Sequence, residues 1–122
     1  MKTKFSFLNN KLHVLFLCGW YPSRVSPTNG DFIQRHAGAV SLNHKVTVIH
    51  LITDKNCKQN IEIISKKENE LNVHIAYLKP QKNYIHKITF FWKAYKLLLK
   101  KVDSFDVIHL NEIYPFGILA KL

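Results

Sequence analysis

The stretch that decides the fold is HVLFLCGWYPSRVSPTNGDFIQRHAGAVSLN, residues 13–43. Residues 14–18 form a continuous apolar run that ends at Gly19, which is typical of a strand covered on both faces in a parallel sheet. The run is followed by an eleven-residue loop, residues 20–30, which is longer than a plain strand-to-helix connection requires. Because ligands of open α/β sheets bind at the carboxyl ends of the strands, we interpret this loop as a ligand loop.

A helix is predicted directly after the loop. Thr28 followed by an acid three residues later indicates a capping box, so the helix should begin near Asp31. Four residues at positions i, i+3, i+4 and i+7 then form one helical stripe: Ile33, His36, Ala37 and Val40. The residue types favour a structural role for the histidine in this stripe.

The rest of the chain continues the alternation of strands and helices. Strands are predicted at 45–51, 61–64, 71–78 and 106–110, a charged turn at 66–70, and helices at 84–102 and from Pro115 onward. The fold class is therefore α/β: a Rossmann-like open, mostly parallel sheet with helices on both faces. We expect residues 1–122 to form one such domain, incomplete at its C-terminus.

The overall composition limits the function classes. An apolar fraction of 47% argues against disorder, and the longest apolar run is too short to span a membrane. Cys18 and Cys57 are expected to be reduced thiols of a cytoplasmic protein. Lysine and arginine number 18 against 8 acids, a net charge of +10, which favours an anionic partner: nucleic acid, a phosphorylated substrate or a membrane surface.

Two loops are candidates for a binding site, residues 20–30 and residues 111–114. If the sheet has the strand order 3-2-1-4, the strands before these loops are neighbours and their carboxyl ends flank one crevice. The helices beginning near Asp31 and Pro115 would then direct their N-terminal N–H groups at the same anion. Gly30 would allow a positive φ and a close approach of the backbone.

Several common sites are missing from the sequence. The first strand ends in Cys-Gly-Trp-Tyr-Pro, so the dinucleotide fingerprint G-x-G-x-x-G is absent, and there is no P-loop. The histidines and cysteines lack the spacing of metal ligands, and we predict neither a metal site nor a cofactor. Neither loop contains a good pair of carboxylates, so no catalytic residue is assigned.

Two blocks of the sequence resemble the family 4-like glycosyltransferases. The first comprises WYPSR at 20–24, P-x-x-GDFI-x-RHA at 27–37 and HKVTVI at 44–49; the second is DVIHLN at 106–111 followed by YP-x-G-x-x-A at 114–120. The blocks occur in the order and at the spacing of that family and cover most of the chain apart from residues 54–80.

The resemblance implies the N-terminal, acceptor-binding part of a retaining GT-B enzyme. Such an enzyme transfers a sugar from a nucleotide-diphosphate sugar to a glycan or lipid-linked acceptor, and its donor-side carboxylates would lie in a C-terminal domain. This chain alone would then be inactive. Asn111 stands where the family has a histidine, which favours a positioning role over proton transfer. The candidate substrate- or phosphate-binding residues are Trp20, Tyr21, Gly30, Arg35, His109, Asn111, Glu112 and Tyr114.

The predicted helix at 84–102 is basic and aromatic. Its presumed core stripe consists of Tyr84, Ile88, Phe91, Trp92, Tyr95, Leu98, Leu99 and Val102. The opposite side carries two large apolar residues among lysines and could rest on an anionic membrane at the inner face of the cell: Phe90, Lys93, Lys96, Leu97, Lys100 and Lys101. An ordinary solvated face, or contact with a further domain, explains the pattern equally well.

Two other functions remain open. A free-standing basic Rossmann-like module could bind an anionic ligand or nucleic acid, although the aromatic residues follow a core stripe rather than a flat basic platform, so we expect no nucleic acid partner. A different sugar-nucleotide enzyme of the same architecture, such as an epimerase, is the third hypothesis.

Overall fold

A computed structural model describes residues 11–110 of the chain. The elements follow one another as strands and helices in the predicted sequence. Their bounds are β1 His13–Cys18, α1 Asp31–Val40, β2 Lys45–Thr53, β3 Ile61–Glu68, β4 Leu71–Leu78, α2 Tyr84–Leu99 and β5 Val107–Leu110. The predicted α/β class is confirmed.

The five strands form one open sheet in the order β3-β4-β2-β1-β5. β1 is parallel to both β2 and β5, and β2 is parallel to β4, whereas β3 runs antiparallel to β4. The sheet is therefore mostly parallel. β1 and β5 are neighbours, as the predicted strand order requires.

Within residues 11–110, one helix packs on each face of the sheet, and the strands supply both cores because their successive residues point to opposite faces. On one face Phe16 and Val48 pack with Ile33 and Ala37 of α1. On the other face Leu15 and Ile49 pack with residues of α2 that include Tyr95 and Leu98. Both faces of the central strands are thus buried, which explains why β1 is a continuous apolar run.

The start of β5 is attached to the start of β1 by polar contacts. The His13 backbone N–H donates to Asp106 Oδ2 at 2.8 Å, and the Asp106 N–H donates to the His13 carbonyl at 2.8 Å. His13 Nδ1 donates to the Ser104 carbonyl at 2.7 Å, and Nε2 accepts from Thr47 Oγ1 at 2.7 Å. The bonds to Ser104 and Asp106 hold the start of β5 beside β1, and the bond from Thr47 ties the same imidazole to β2.

The hairpin between β3 and β4 is tighter than predicted. Residues 66–68 belong to β3 rather than to a turn, and only Asn69 and Glu70 connect the strands. Asn69 has a φ of 53°, a conformation that asparagine tolerates better than most residues. The charged residues 66–68 were predicted to form a turn, but they belong to an edge strand. Lysine and glutamate are common on the exposed side of such a strand.

The helix α1 begins at Asp31, as predicted, but its predicted capping box is wrong. The N-cap is Gly30, with a φ of 70° and no side-chain capping bond. The Gly30 carbonyl accepts from the N–H groups of Ile33 and Gln34 at 3.0 and 3.2 Å. A left-handed glycine therefore opens the helix without help from the Thr28 side chain.

The helix α2 packs on the sheet through its second half only. Ala94, Tyr95 and Leu98 are buried, whereas Tyr84 and Ile88, which were predicted to face the core, are 62% and 48% exposed. The predicted stripe exists, but it continues beyond the part of the helix that reaches the sheet. The helix also ends at Leu99, three residues before the predicted boundary.

The predicted lysine side of α2 is exposed at all four lysines, Lys93, Lys96, Lys100 and Lys101. Of its two apolar members, Phe90 is half-buried and Leu97 is 37% exposed.

The start of α2 depends on one side-chain cap. Asn83 Oδ1 accepts from the Ile85 N–H at 2.8 Å. We expect Asn83→Ala to lower the free energy of unfolding by about 1 kcal/mol, measured by urea denaturation, because the first turn is exposed and has little packing to hold it. Asn83→Ser, which keeps an acceptor, is the control. Equal losses in the two variants would contradict the capping role.

Both cysteines, Cys18 and Cys57, are buried and form no disulfide with each other; burial was predicted for Cys18 only. Neither helix in the described part of the chain, residues 11–110, is long and apolar enough to cross a membrane.

Candidate functional site

The carboxyl ends of β1 and β5 lie side by side. Leu17 is in register with Leu110, so the first loop leaves the sheet next to the end of β5. Three predicted binding residues come directly after that end, and they lie outside the described residues: Asn111, Glu112 and Tyr114.

Two imidazoles and a phenyl ring meet beside this edge, on the α1 face. The ring centroid of His109 lies 4.6 Å from that of Phe16 and 5.1 Å from that of His36. The Phe16 and His36 centroids are 5.6 Å apart in an edge-to-face arrangement. The sequence predicts a structural role for His36 and a binding role for His109, and it gives no sign of their contact. Their ring nitrogens offer hydrogen-bond donors and acceptors near the carboxyl ends of β1 and β5.

Gly30 is where the ligand loop closes on itself. A Cβ at this position would lie 2.6 Å from the Trp20 carbonyl carbon and 2.7 Å from the Tyr21 nitrogen. The predicted positive φ is confirmed at 70°. The close approach that needs glycine is therefore to the loop's own backbone, so the loop is held as a closed unit over the sheet edge.

Trp20 and Tyr21 have opposite environments. Trp20 is 45% exposed at the edge, whereas Tyr21 is fully buried and its hydroxyl donates to Glu68 Oε1 at 3.0 Å. Burial, and next to it the Glu68 carboxylate, raises the pKa of Tyr21 far above its ordinary value. The Tyr21 side chain thus attaches the loop to β3, which corrects its predicted role as a binding residue.

Arg35 lies on the solvent side of α1. Its guanidinium is 76% exposed and 4.0 Å from the Asp31 carboxylate one turn earlier. Such an exposed pair contributes little to stability. Arg35 therefore remains accessible to an anion near the start of α1.

A cleft that the sequence analysis missed is organised around Arg24 of the ligand loop. Arg24 Nε donates to Asp54 Oδ2 at 2.8 Å, and Nη1 donates to Glu62 Oε1 at 2.6 Å. Its guanidinium carbon lies 3.8 Å from the centroid of the Tyr77 ring. The cleft has a volume of about 790 Å³ and is lined by Arg24, Val25, Thr53, Asp54, Lys55, Asn56, Lys58, Glu62 and Pro80.

The carboxylates of this cleft stay ionised. A hydrogen bond from the Asn56 backbone, together with Arg24, lowers the pKa of Asp54, and Arg24 lowers the pKa of Glu62. Lys55 and Lys58 add two exposed ammonium groups. The cleft thus presents charged donors and acceptors together, which suits a hydroxyl-rich ligand. The sequence feature that could have indicated this cleft is Asp54, an acid that directly follows the buried strand β2.

His50 is a buried histidine beneath the ligand loop. Its Nδ1 donates to the Cys18 carbonyl at 2.9 Å, and its ring centroid lies 6.4 Å from that of Tyr21. Nε2 has no hydrogen-bond partner among the described residues. Burial lowers the pKa of His50, and the bond to Cys18 opposes this only in part.

This burial predicts a pH dependence of stability. Below pH 6.5, the ordinary histidine pKa, His50 becomes protonated in the unfolded chain, whereas in the folded chain it stays neutral to lower pH. The free energy of unfolding should therefore fall as the pH drops below that value, by up to about 1.4 kcal/mol per pH unit. The measurement is urea denaturation at several pH values between 7.5 and 5, roughly the range in which histidines titrate. In His50→Leu the free energy of unfolding should depend less steeply on pH than in the unmodified chain.

The matched control for this prediction is His74→Leu. Burial and Lys101 also lower the pKa of His74, but that residue is only half-buried, so its removal should flatten the curve less. A His50→Leu curve parallel to the unmodified one would contradict the assignment.

Neither a protein-family model, nor a curated protein, nor a solved structure matches this chain. Within residues 11–110, no group of three or more histidine, cysteine, aspartate or glutamate side chains could hold a metal ion.

Proposed function

We propose that this chain is the acceptor-side part of a retaining glycosyltransferase, with the donor site supplied by a second domain. The observation that carries the proposal is the parallel pairing of β1 with β5. This pairing brings the ligand loop and the end of β5 to one edge of the sheet, where open α/β folds bind ligands.

The start of α1 supports an anion-binding role at this edge. The first intrahelical bond comes from Ile33, so the N–H groups of Asp31 and Phe32 precede the bonded part of the helix. Together with the helix dipole they could stabilise the charge of a departing nucleoside diphosphate. Arg35 lies one turn further on and offsets the charge of Asp31.

The acceptor is proposed to lie along the cleft of Arg24. Sugar hydroxyls both donate and accept hydrogen bonds, and the cleft offers the carboxylates of Asp54 and Glu62 beside the ammonium groups of Lys55 and Lys58. Arg24 itself is engaged by both carboxylates. We therefore assign it the role of holding the cleft in shape rather than of contacting the substrate.

The test uses the protein as encoded by its complete reading frame. We expect release of a nucleoside diphosphate from one member of a panel of uridine, guanosine, adenosine, cytidine and thymidine diphosphate sugars when a glycan or lipid-linked acceptor is present. His109→Phe, which keeps the ring contact with Phe16, should lower turnover at least about tenfold if the imidazole positions the substrate. His74→Phe on β4, which is separated from β5 by β1 and β2, is the control.

Two results would overturn the proposal. One is a reading frame without a second α/β domain, and the other is a complete protein that releases no nucleoside diphosphate from any donor class. Binding of the complete protein to single-stranded nucleic acid with a steep salt dependence would instead support the basic binding module.

A further inference from the structure

The first two turns of α2 carry three large, exposed apolar or aromatic side chains. Ile85 is 70% exposed, Ile88 is 48% exposed and Tyr84 is 62% exposed. Large aliphatic side chains at this level of exposure, grouped on one helical turn, are a common sign of an interaction surface.

Lysines surround this apolar group. Residues 71–102 contain no aspartate or glutamate, and Lys79, Lys82 and Lys87 are all exposed. Among the described residues, none of these three lysines forms an ion pair. We call residues 79–89 the α2 tip.

The α2 tip lies at the carboxyl edge of the sheet, because α2 begins shortly after β4 ends. The cleft at the same edge adds Lys55 and Lys58, and Pro80 belongs both to the cleft lining and to the α2 tip. Cationic and apolar groups are thus concentrated at one end of the molecule.

We propose that the α2 tip docks on an anionic lipid bilayer. Ile85 and Ile88 enter the boundary between headgroups and acyl chains, while the three lysines contact lipid phosphates. This inference is independent of the glycosyltransferase proposal. Charge complementarity favours lipid over a protein partner, since the cores of protein interfaces are depleted in lysine.

The charge requirement is tested by vesicle flotation of the 122-residue chain. The chain should float with vesicles of equal parts phosphatidylcholine and phosphatidylglycerol and stay behind with phosphatidylcholine alone. Lys82→Gln/Lys87→Gln should weaken binding by about twenty-five-fold, since each lysine near an anionic surface contributes about fivefold.

A matched double variant distinguishes the effect of the α2 tip lysines on vesicle binding from the effect of the net charge of the whole chain. Lys11→Gln/Lys67→Gln also removes two charges, but both residues lie at the opposite, amino edge of the sheet. It should weaken binding less than about twofold, since its charges would lie beyond a Debye length from the lipid. Equal effects of the two double variants would overturn the proposal.

The apolar requirement has its own variants. Ile85→Ser/Ile88→Ser should weaken binding by at least about tenfold, whereas Leu42→Ser, at a 79% exposed leucine before β2, should leave it unchanged. Both native cysteines are buried, so Ile85→Cys and Leu42→Cys accept an environment-sensitive fluorophore selectively. Only the label at position 85 should shift to the blue on anionic vesicles.

Two further outcomes would overturn the proposal. One is flotation that does not depend on phosphatidylglycerol. The other is an oligomer that Ile85→Ser/Ile88→Ser dissociates while vesicle binding stays unchanged, which would assign the α2 tip to a contact between copies of this chain. Circular dichroism verifies that each variant remains folded.

Discussion

We expect Gly30→Ala to lower the free energy of unfolding by about 3 kcal/mol, since a positive φ and a backbone clash each cost about 1–3 kcal/mol. An alanine at this position would have a φ of 70° and a Cβ 2.6 Å from the Trp20 carbonyl carbon. The neighbour is backbone, so it cannot rotate away as a flexible side chain would. Urea denaturation followed by circular dichroism measures the loss.

The control is Gly38, which lies within α1, two residues before its end. A Cβ there would meet nothing within 4 Å. Gly38→Ala should therefore raise the free energy of unfolding by about 0.5–1 kcal/mol, because alanine loses less backbone entropy in a helix. A Gly30→Ala variant that is as stable as the unmodified chain would show that the loop is not closed on Trp20.

The second large effect is expected for Phe16→Ala, with a loss of about 4 kcal/mol. Phe16 is 1% exposed at the centre of the α1 face, and its ring contacts those of His36 and His109. Truncation would leave a cavity between β1, β5 and α1. The loss should appear as a lower urea midpoint with little change in the dependence on urea concentration.

Phe32→Ala is the matched control for Phe16. This phenylalanine is 60% exposed in the first turn of α1, so its loss should change stability by less than about 0.5 kcal/mol. NMR should also show the ring signals of His36 and His109 moving in Phe16→Ala and not in Phe32→Ala. Unchanged histidine signals in both variants would contradict the three-ring contact.

The sequence predicts the central part of the fold well because local pattern and tertiary burial agree there. Residues 14–18 are apolar on both faces and form β1, the strand flanked by β2 and β5. The start of α1 at Asp31 was also predicted. The prediction rested on a Thr28 cap, whereas the helix begins at a left-handed Gly30. Threonine and glycine both occur in turn sequences, so the sequence does not show which of them caps the helix.

The errors arise where a pattern continues past the surface that it packs on. Tyr84 and Ile88 belong to the same helical stripe as Tyr95, but of these three residues only Tyr95 packs on the sheet. Periodicity reports which side of a helix is apolar and does not report how far the sheet extends beneath it.

The candidate site was only partly predictable, because its contacts join residues far apart in the chain. Arg24 meets Asp54 and Glu62 across separations of 30 and 38 residues, and Tyr21 meets Glu68 across 47. Within the loop, sequence alone could not decide that Trp20 faces outward and Tyr21 inward. The contacts with Glu62 and Glu68 depend on the antiparallel return of β3, and the contact with Asp54 depends on the end of β2; no local pattern encodes either.

The edge strand β3 has a consequence for assembly. Lys66 and Lys67 are exposed on it. Among the described strands β3 pairs only with β4, so its other side is open. Charged side chains along an open edge, here two lysines and two glutamates, disfavour a second chain that would add to it by backbone hydrogen bonding. The amide protons of β3 that point away from β4 should accordingly exchange rapidly even at high protein concentration, while those of β1, which is flanked by β2 and β5, stay protected.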